Sequence, residues 1–309
     1  MVFNGSNAAL RSLTPIAQHE ELFISYIDPT NPYTVRQEEL AIRYLFKCQC
    51  KKCALGATQK EDLFLGPAAK LKVDWNKLPR ASDLTRDLEQ DLAYYVGKSA
   101  PEQKLAGLQD YLFETLDLAR VEKDPQTAIE QLESLMRICH QSTLWPVTRQ
   151  PYAAARHEAF VNYISAGDLE SACFRLAEIY FYIDPVLYPE RTHPTRVVHT
   201  WTFLRVIMSL YDEPEKARAR VRSTGFDFTV VIWKLLKEVC GIVARSHGIG
   251  QFSRTVWQLR EDLGREIVVS GGPGILEILE ENPENTWEKF EAWVLRPSAA
   301  EMPSTMPAR

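Results

Sequence analysis

Tyr44-Leu45-Phe46-Lys47-Cys48-Gln49-Cys50-Lys51-Lys52-Cys53 decides how the amino-terminal part of this chain is read. Three of its six cysteines fall within six residues, in the pattern C-x-C-x2-C. In a reducing compartment so crowded a set reads as metal ligation rather than as disulfides. Zinc prefers tetrahedral thiolate coordination, and Cys48, Cys50 and Cys53 can wrap one face of such an ion. A fourth ligand must come from elsewhere. Four thiolates around Zn2+ leave about two negative charges, which Lys47, Lys51 and Lys52 would offset while lowering the thiol pKa values. The alternative is three free thiols in a lysine-rich loop. The remaining cysteines, Cys139, Cys173 and Cys240, lie far apart within apolar helical stretches and are most simply buried apolar residues.

Upstream of the cluster the chain reads as strands. Val2 and Phe3 precede Asn4-Gly5, a strong hairpin signal. Pro15 and Gln18-His19-Glu20-Glu21 make a second turn, and Leu22-Phe23-Ile24-Ser25-Tyr26-Ile27 is rich in strand formers. Pro29, Asn31 and Pro32 then break the strand, and Val35 to Leu45 is predicted as a short helix, with Leu40 and Tyr44 on one face. After the cysteines comes a loop containing Gly56, Gly66, Pro67 and Pro79.

Downstream of about residue 83 the period is helical. Ile129, Leu132, Leu135, Met136 and Cys139 share one face, with Glu130, Glu133 and Arg137 opposite. Segments 151–165 and 169–182 follow, joined where Gly167 ends one helix and Asp168 caps the next. Pro194 opens a segment through Leu210, and others cover roughly 227–245, 251–264 and 273–294. Short helices joined by tight turns suggest a tetratricopeptide-like array of helical hairpins, although no full consensus recurs at a 34-residue period. Pro297 to Arg309 reads as a disordered tail. The boundaries expected are therefore 1–28, 29–60, a linker at 61–82, a helical domain at 83–296 and the tail at 297–309.

Bulk properties exclude several classes. At 309 residues there is room for two domains. A net charge of −5 gives no reason to expect nucleic-acid binding. Apolar runs such as Phe228 to Trp233, with Thr229 in it, fall far short of the ~20 residues of a membrane span, and the first residues lack the order of a signal peptide. An intracellular protein, in nucleus or cytoplasm, follows as the default.

Phe23-Ile24-Ser25-Tyr26-Ile27-Asp28 followed by Tyr44-Leu45-Phe46-Lys47-Cys48-Gln49-Cys50-Lys51-Lys52-Cys53 resembles the end of a SET domain and its post-SET zinc segment. Arg11-Ser12-Leu13-Thr14-Pro15-Ile16 and Glu20-Glu21 look like the family's approach to that strand. With a helical domain after it, the closest match is the SET-and-MYND branch of the protein lysine methyltransferases. The specific resemblance covers about residues 8–53. The fold it implies is mostly α: a truncated SET β-hairpin and strand remnant, a post-SET zinc loop, then the helical-hairpin array.

The resemblance also implies roles. Tyr26 matches the catalytic tyrosine that orients the substrate amine toward the sulfonium methyl of S-adenosylmethionine. Ile24 and Tyr44 match channel-wall positions, and Phe46 matches the aromatic packed on the cofactor adenine. Cys48, Cys50 and Cys53 match three of four zinc ligands, the fourth coming in the family from an Asn-His-Ser-Cys motif that precedes the hairpin. This chain begins after that motif, so the expectation is a site for S-adenosylmethionine that is incomplete here. Gln18-His19 stands where the family usually places a turn glycine. The expected partner is a protein substrate with a target lysine, histone or other, acted on by a monomer with no direct nucleic-acid contact and no membrane.

Alternatively, the same aromatics are core residues of a strand and a helix. A second functional reading is non-enzymatic, a helical-repeat interaction module with a vestigial SET end. Other candidates are weaker. His193 and His199 lie six apart on a predicted helix and face different ways, and Gly271-Gly272-Pro273-Gly274 lacks the pattern of a phosphate loop. Lys216, Arg218, Arg220 and Arg222 read as a solvated face.

Overall fold

A computed structural model describes residues 2–4, 7–9, 12, 15–58, 102–142, 145, 147–211, 225–281 and 285–295. The expected linker at 61–82, the helical start before residue 102, the basic stretch around Lys216 to Arg222 and the tail at 297–309 lie outside them, as do Arg11, Leu13 and Thr14. The described protein is mostly helical, and no described helix is long and apolar enough to cross a membrane.

Strands β1 (Val2–Asn4) and β2 (Asn7–Ala9) pair antiparallel, with Val2 opposite Ala9 and Asn4 opposite Asn7. That register pairs Asn4 itself, so the ladder includes the asparagine that the Asn4-Gly5 hairpin signal would put in the turn. At the second turn, Glu20 N–H donates to the Ala17 carbonyl at 3.1 Å, and His19 takes a left-handed φ of 66°. The backbone here adopts the conformation a glycine would favour, although the residue is histidine. The expected strand at 22–27 is a correction: the segment runs as open chain. A strand exists only through ladder bonds to a neighbour, and none of the described residues supplies one.

The chain divides into two compact units. Glu21–Ala166 contains helices α1 (Tyr33–Tyr44), α2 (Lys51–Ala54), α3 (Glu102–Val121), α4 (Pro125–Ser142) and α5 (Tyr152–Ser165). Helix α1 ends at Leu45, whose left-handed φ of 60° turns the chain. Helices α3 and α4 pack together across the short Glu122–Asp124 connection, as antiparallel neighbours do, and α4 packs on α5. Their shared core includes Leu112, Leu116, Leu132, Leu135, Cys139 and Ala159, all buried. Each such leucine contributes roughly 1.5–3 kcal/mol by leaving water.

The other unit comprises Met1–Glu20 and Gly167–Arg309. Its helices are α6 (Leu169–Glu178), α7 (Asp184–Leu187), α8 (Pro194–Tyr211), α9 (Phe228–His247), α10 (Gln251–Gly271), α11 (Ile275–Glu280) and α12 (Thr286–Val294). Gly167 (φ 79°) precedes Asp168, whose carboxylate accepts from Ser171 N at 3.0 Å. A π-helical turn, Ile179–Ile183, separates α6 from α7, just before the donor-less Pro185. Helix α10 runs on past the expected end at 264 to Gly271, and Gly264 lies close against the Trp233 ring. The expected single segment at 273–294 is two helices, α11 and α12, with Asn285 in a left-handed conformation (φ 53°) just before the second. Phe203, Phe226, Phe228, Phe290 and Trp293 form a continuous aromatic core.

Candidate active site and metal centre

The turn after Tyr26 is set by Asp28, whose Oδ1 accepts from the Thr30 N–H at 2.8 Å and the Thr30 hydroxyl at 2.7 Å. Thr30 in turn accepts from Gln150 Nε2 at 2.9 Å, tying the segment to the residue two before α5. Lys52 reaches back to donate to the Pro29 carbonyl at 2.6 Å, so the cysteine loop and this turn are bound to each other. Helix α1 supplies a second tie. Gln37 donates from Nε2 to the Cys48 carbonyl at 2.9 Å and accepts from the Cys48 N–H at 3.1 Å.

Held in this way, the three thiols converge: the Sγ atoms of Cys48, Cys50 and Cys53 lie within 4.8 Å of one another. Sulfurs on a zinc tetrahedron stand about 3.8 Å apart, given Zn–S bonds near 2.3 Å, so contraction by about an ångström would close the set on an ion. The three residues present therefore fit a thiophilic metal. Cys50 caps α2, its Sγ accepting from the Cys53 N–H at 3.5 Å. Burial pushes the Cys50 thiol up, but hydrogen bonds from the Cys53 backbone and from Cys48 outweigh it and the thiol titrates below its ordinary value. Burial pushes Cys53 up, the Cys50 side chain adds to that, and the Arg36 guanidinium pulls the other way without prevailing. The other cysteines form no disulfide, Cys139 and Cys173 being buried and Cys240 half-buried.

Three aromatic rings meet beside the thiols. The Tyr26 ring lies 5.0 Å from Tyr44, tilted by 56°, and 5.8 Å from Phe46 in an edge arrangement. The Tyr44 hydroxyl donates to the Tyr26 carbonyl at 3.2 Å. Leu45, left-handed between two of these rings, is 87% exposed and points out of the cluster. A cavity of about 610 Å3 joins the two features, lined by Ile24, Tyr26, Phe46 and all three cysteines among others. Tyr44 stands behind Tyr26 rather than on the cavity wall, and Ile24 lines it while 64% exposed.

Arg36 and Gln37 are the contributors that pattern reading passed over. Arg36 lies one turn before Leu40, which itself lies one turn before Tyr44, so a charged residue interrupts an apolar helix face. That interruption is the signal that could have found it. Elsewhere, His193 and His199 do not act together on a metal: His199 Nδ1 bonds the buried Asp184 at 3.0 Å, and His193 stacks on Tyr188 with ring centroids 4.5 Å apart.

No family model matches the chain. Protein SET DOMAIN GROUP 41 of Arabidopsis thaliana is 24% identical over 177 residues, covering 57% of this chain and 29% of its own length. SET domain and MYND-type zinc finger protein 6 of Schizosaccharomyces pombe is 41% identical over 61 residues, 20% of this chain and 13% of its own length. Histone-lysine N-methyltransferase SMYD1 of Homo sapiens is 44% identical over 57 residues, 18% of this chain and 11% of its own length. The chain is thus similar, over part of its length, to SET-domain and SET-and-MYND proteins. The matches span less than a third of those relatives.

Proposed function

We propose that the protein of which these 309 residues are part is a SET-type protein-lysine methyltransferase dependent on S-adenosylmethionine. The observation that carries this is the meeting of Tyr26, Tyr44 and Phe46 beside three convergent thiols around one cavity. Similarity to proteins named as lysine methyltransferases supports the same reading.

S-adenosylmethionine, when bound, supplies an electrophilic methyl group. Phe46 offers its adenine an aromatic face. The Tyr26 hydroxyl accepts from the substrate amine and aims its lone pair, and alignment of this kind accounts for much of the rate of an in-line displacement. The amine must be neutral to react, whereas free lysine has a pKa near 10.4; the apolar wall that Ile24 supplies, with Tyr44 packed against Tyr26, disfavours the ammonium form and sheds water. Cys48, Cys50 and Cys53, with a fourth ligand, would hold a zinc ion that would fix the loop carrying Phe46. The helices after residue 102 read as tetratricopeptide-like hairpins that present a surface to a protein substrate, histone or other, in nucleus or cytoplasm.

The test is transfer of a radiolabelled methyl group to protein. The complete protein, incubated with labelled S-adenosylmethionine and a lysine-rich protein mixture, should yield labelled N-methyl-lysine on hydrolysis. Label confined to other residues, or none above a protein-free control, sinks the assignment and favours the non-enzymatic interaction module.

A further inference from the structure

A buried cation stands next to the thiols without a full set of acceptors. Arg36 on α1 is 2% exposed. One nitrogen, Nη1, donates to the Asn31 carbonyl. The other two, Nε and Nη2, are buried with no partner. No carboxylate among the described residues pairs with this guanidinium: Asp28 is engaged by Thr30, and Glu39 pairs with Arg43. A guanidinium taken from water and left so poorly matched would cost several kcal/mol, and proteins avoid that by placing an anion against it. Arg36 lines the same cavity as Cys48, Cys50 and Cys53, and its side chain lies beside Cys53.

We propose that Arg36 is the built-in counter-ion of the metal-thiolate cluster, donating from Nε and Nη2 to metal-bound sulfur, chiefly that of Cys53. This rests on the reading that the three cysteines hold a metal. A thiolate cluster around a divalent ion carries net negative charge, and that charge needs a buried donor. The lysines suggested by sequence are worse placed. Lys47 and Lys51 are exposed, where water screens their charge, and Lys52 donates to the Pro29 carbonyl. Arg36 is fixed instead by the Asn31 carbonyl on one side, which leaves the other edge of its planar fork free to meet sulfur. It is a positioning residue: it touches neither substrate nor methyl donor in this account.

The experiment uses the 309-residue protein with zinc, and with 113Cd in place of zinc. In the wild type one metal ion per chain is expected, and the Arg36 Nε or Nη2 protons should show scalar coupling to 113Cd, which only a hydrogen bond to metal-bound sulfur transmits. Arg36→Met should weaken zinc in chelator competition by about 10- to 100-fold, the range typical of partners that orient metal ligands, and Arg36→Lys should recover part of the loss. A purely structural arginine would lower the melting temperature of the metal-free protein and leave the zinc competition unchanged. That result, or absence of coupling in the wild type, overturns the proposal, and the coupling needs no variant to fold. A wild type that binds no metal fails the underlying reading of the cysteines instead.

Discussion

Gln37 joins two elements through one amide. Its side chain both donates to and accepts from the Cys48 backbone, which fixes where the first cysteine of the cluster can stand. Removing it leaves a half-buried N–H and carbonyl unpaired, at a cost of roughly 1–3 kcal/mol. Gln37→Ala should therefore make the Cys48 amide exchange hydrogen at least tenfold faster, measured by NMR on metal-free protein; unchanged protection would contradict the pincer. At this scale the chain's legibility divides by chemistry. Cys48, Cys50 and Cys53 announce themselves by spacing, and their thiols do converge. Gln37 does not, because its partner Cys48 is recruited through folding across 11 residues and leaves no local pattern, and Arg36 shows only as a charge interrupting an apolar helix face. His19 shows the converse, a left-handed turn kept without its usual glycine.

The helices were legible because each buries one periodic stripe. On α4, Leu132 and Leu135 are fully buried, on the face the period assigns to the core. Leu132→Ala should destabilise the protein by about 2–5 kcal/mol in thermal or urea unfolding, since neighbours from α3 and α5 cannot collapse into the gap. The α5–α6 junction offers a milder test. Asp168→Ala removes the acceptor for Ser171 N and should cost about 0.5–2 kcal/mol in urea unfolding. Asp168→Asn, which can still cap, should cost less. Residues 22–27 were misread for a physical reason: strand formers report a preference, whereas a strand requires a partner chain at ladder distance. The break between α11 and α12 was missed although Pro283 lies within the expected segment, because the apolar period continues on both sides of it.

At the scale of the whole molecule, the residues that carry the chemistry lie within about thirty positions, and most of the chain is helix. Helices such as α9 and α12 satisfy their backbone groups internally and bury Phe228, Leu235, Val239 and Phe290. We expect their order to be independent of a metal. The segment 28–54 is tied by side-chain hydrogen bonds, and its three thiols converge within 4.8 Å. Chelation should therefore speed hydrogen exchange across residues 28–54 and leave α9 and α12 protected; loss of protection in α9 on chelation would contradict this division. The central claim concerns Tyr26, the ring that meets both Tyr44 and Phe46. It is tested most directly by comparing labelled methyl transfer to lysine by the complete protein and by its Tyr26→Phe variant, at equal metal content. The account predicts a loss of at least 100-fold in kcat, the scale at which misplaced reacting groups tell, with unchanged thermal unfolding. Wild-type turnover by Tyr26→Phe would contradict it.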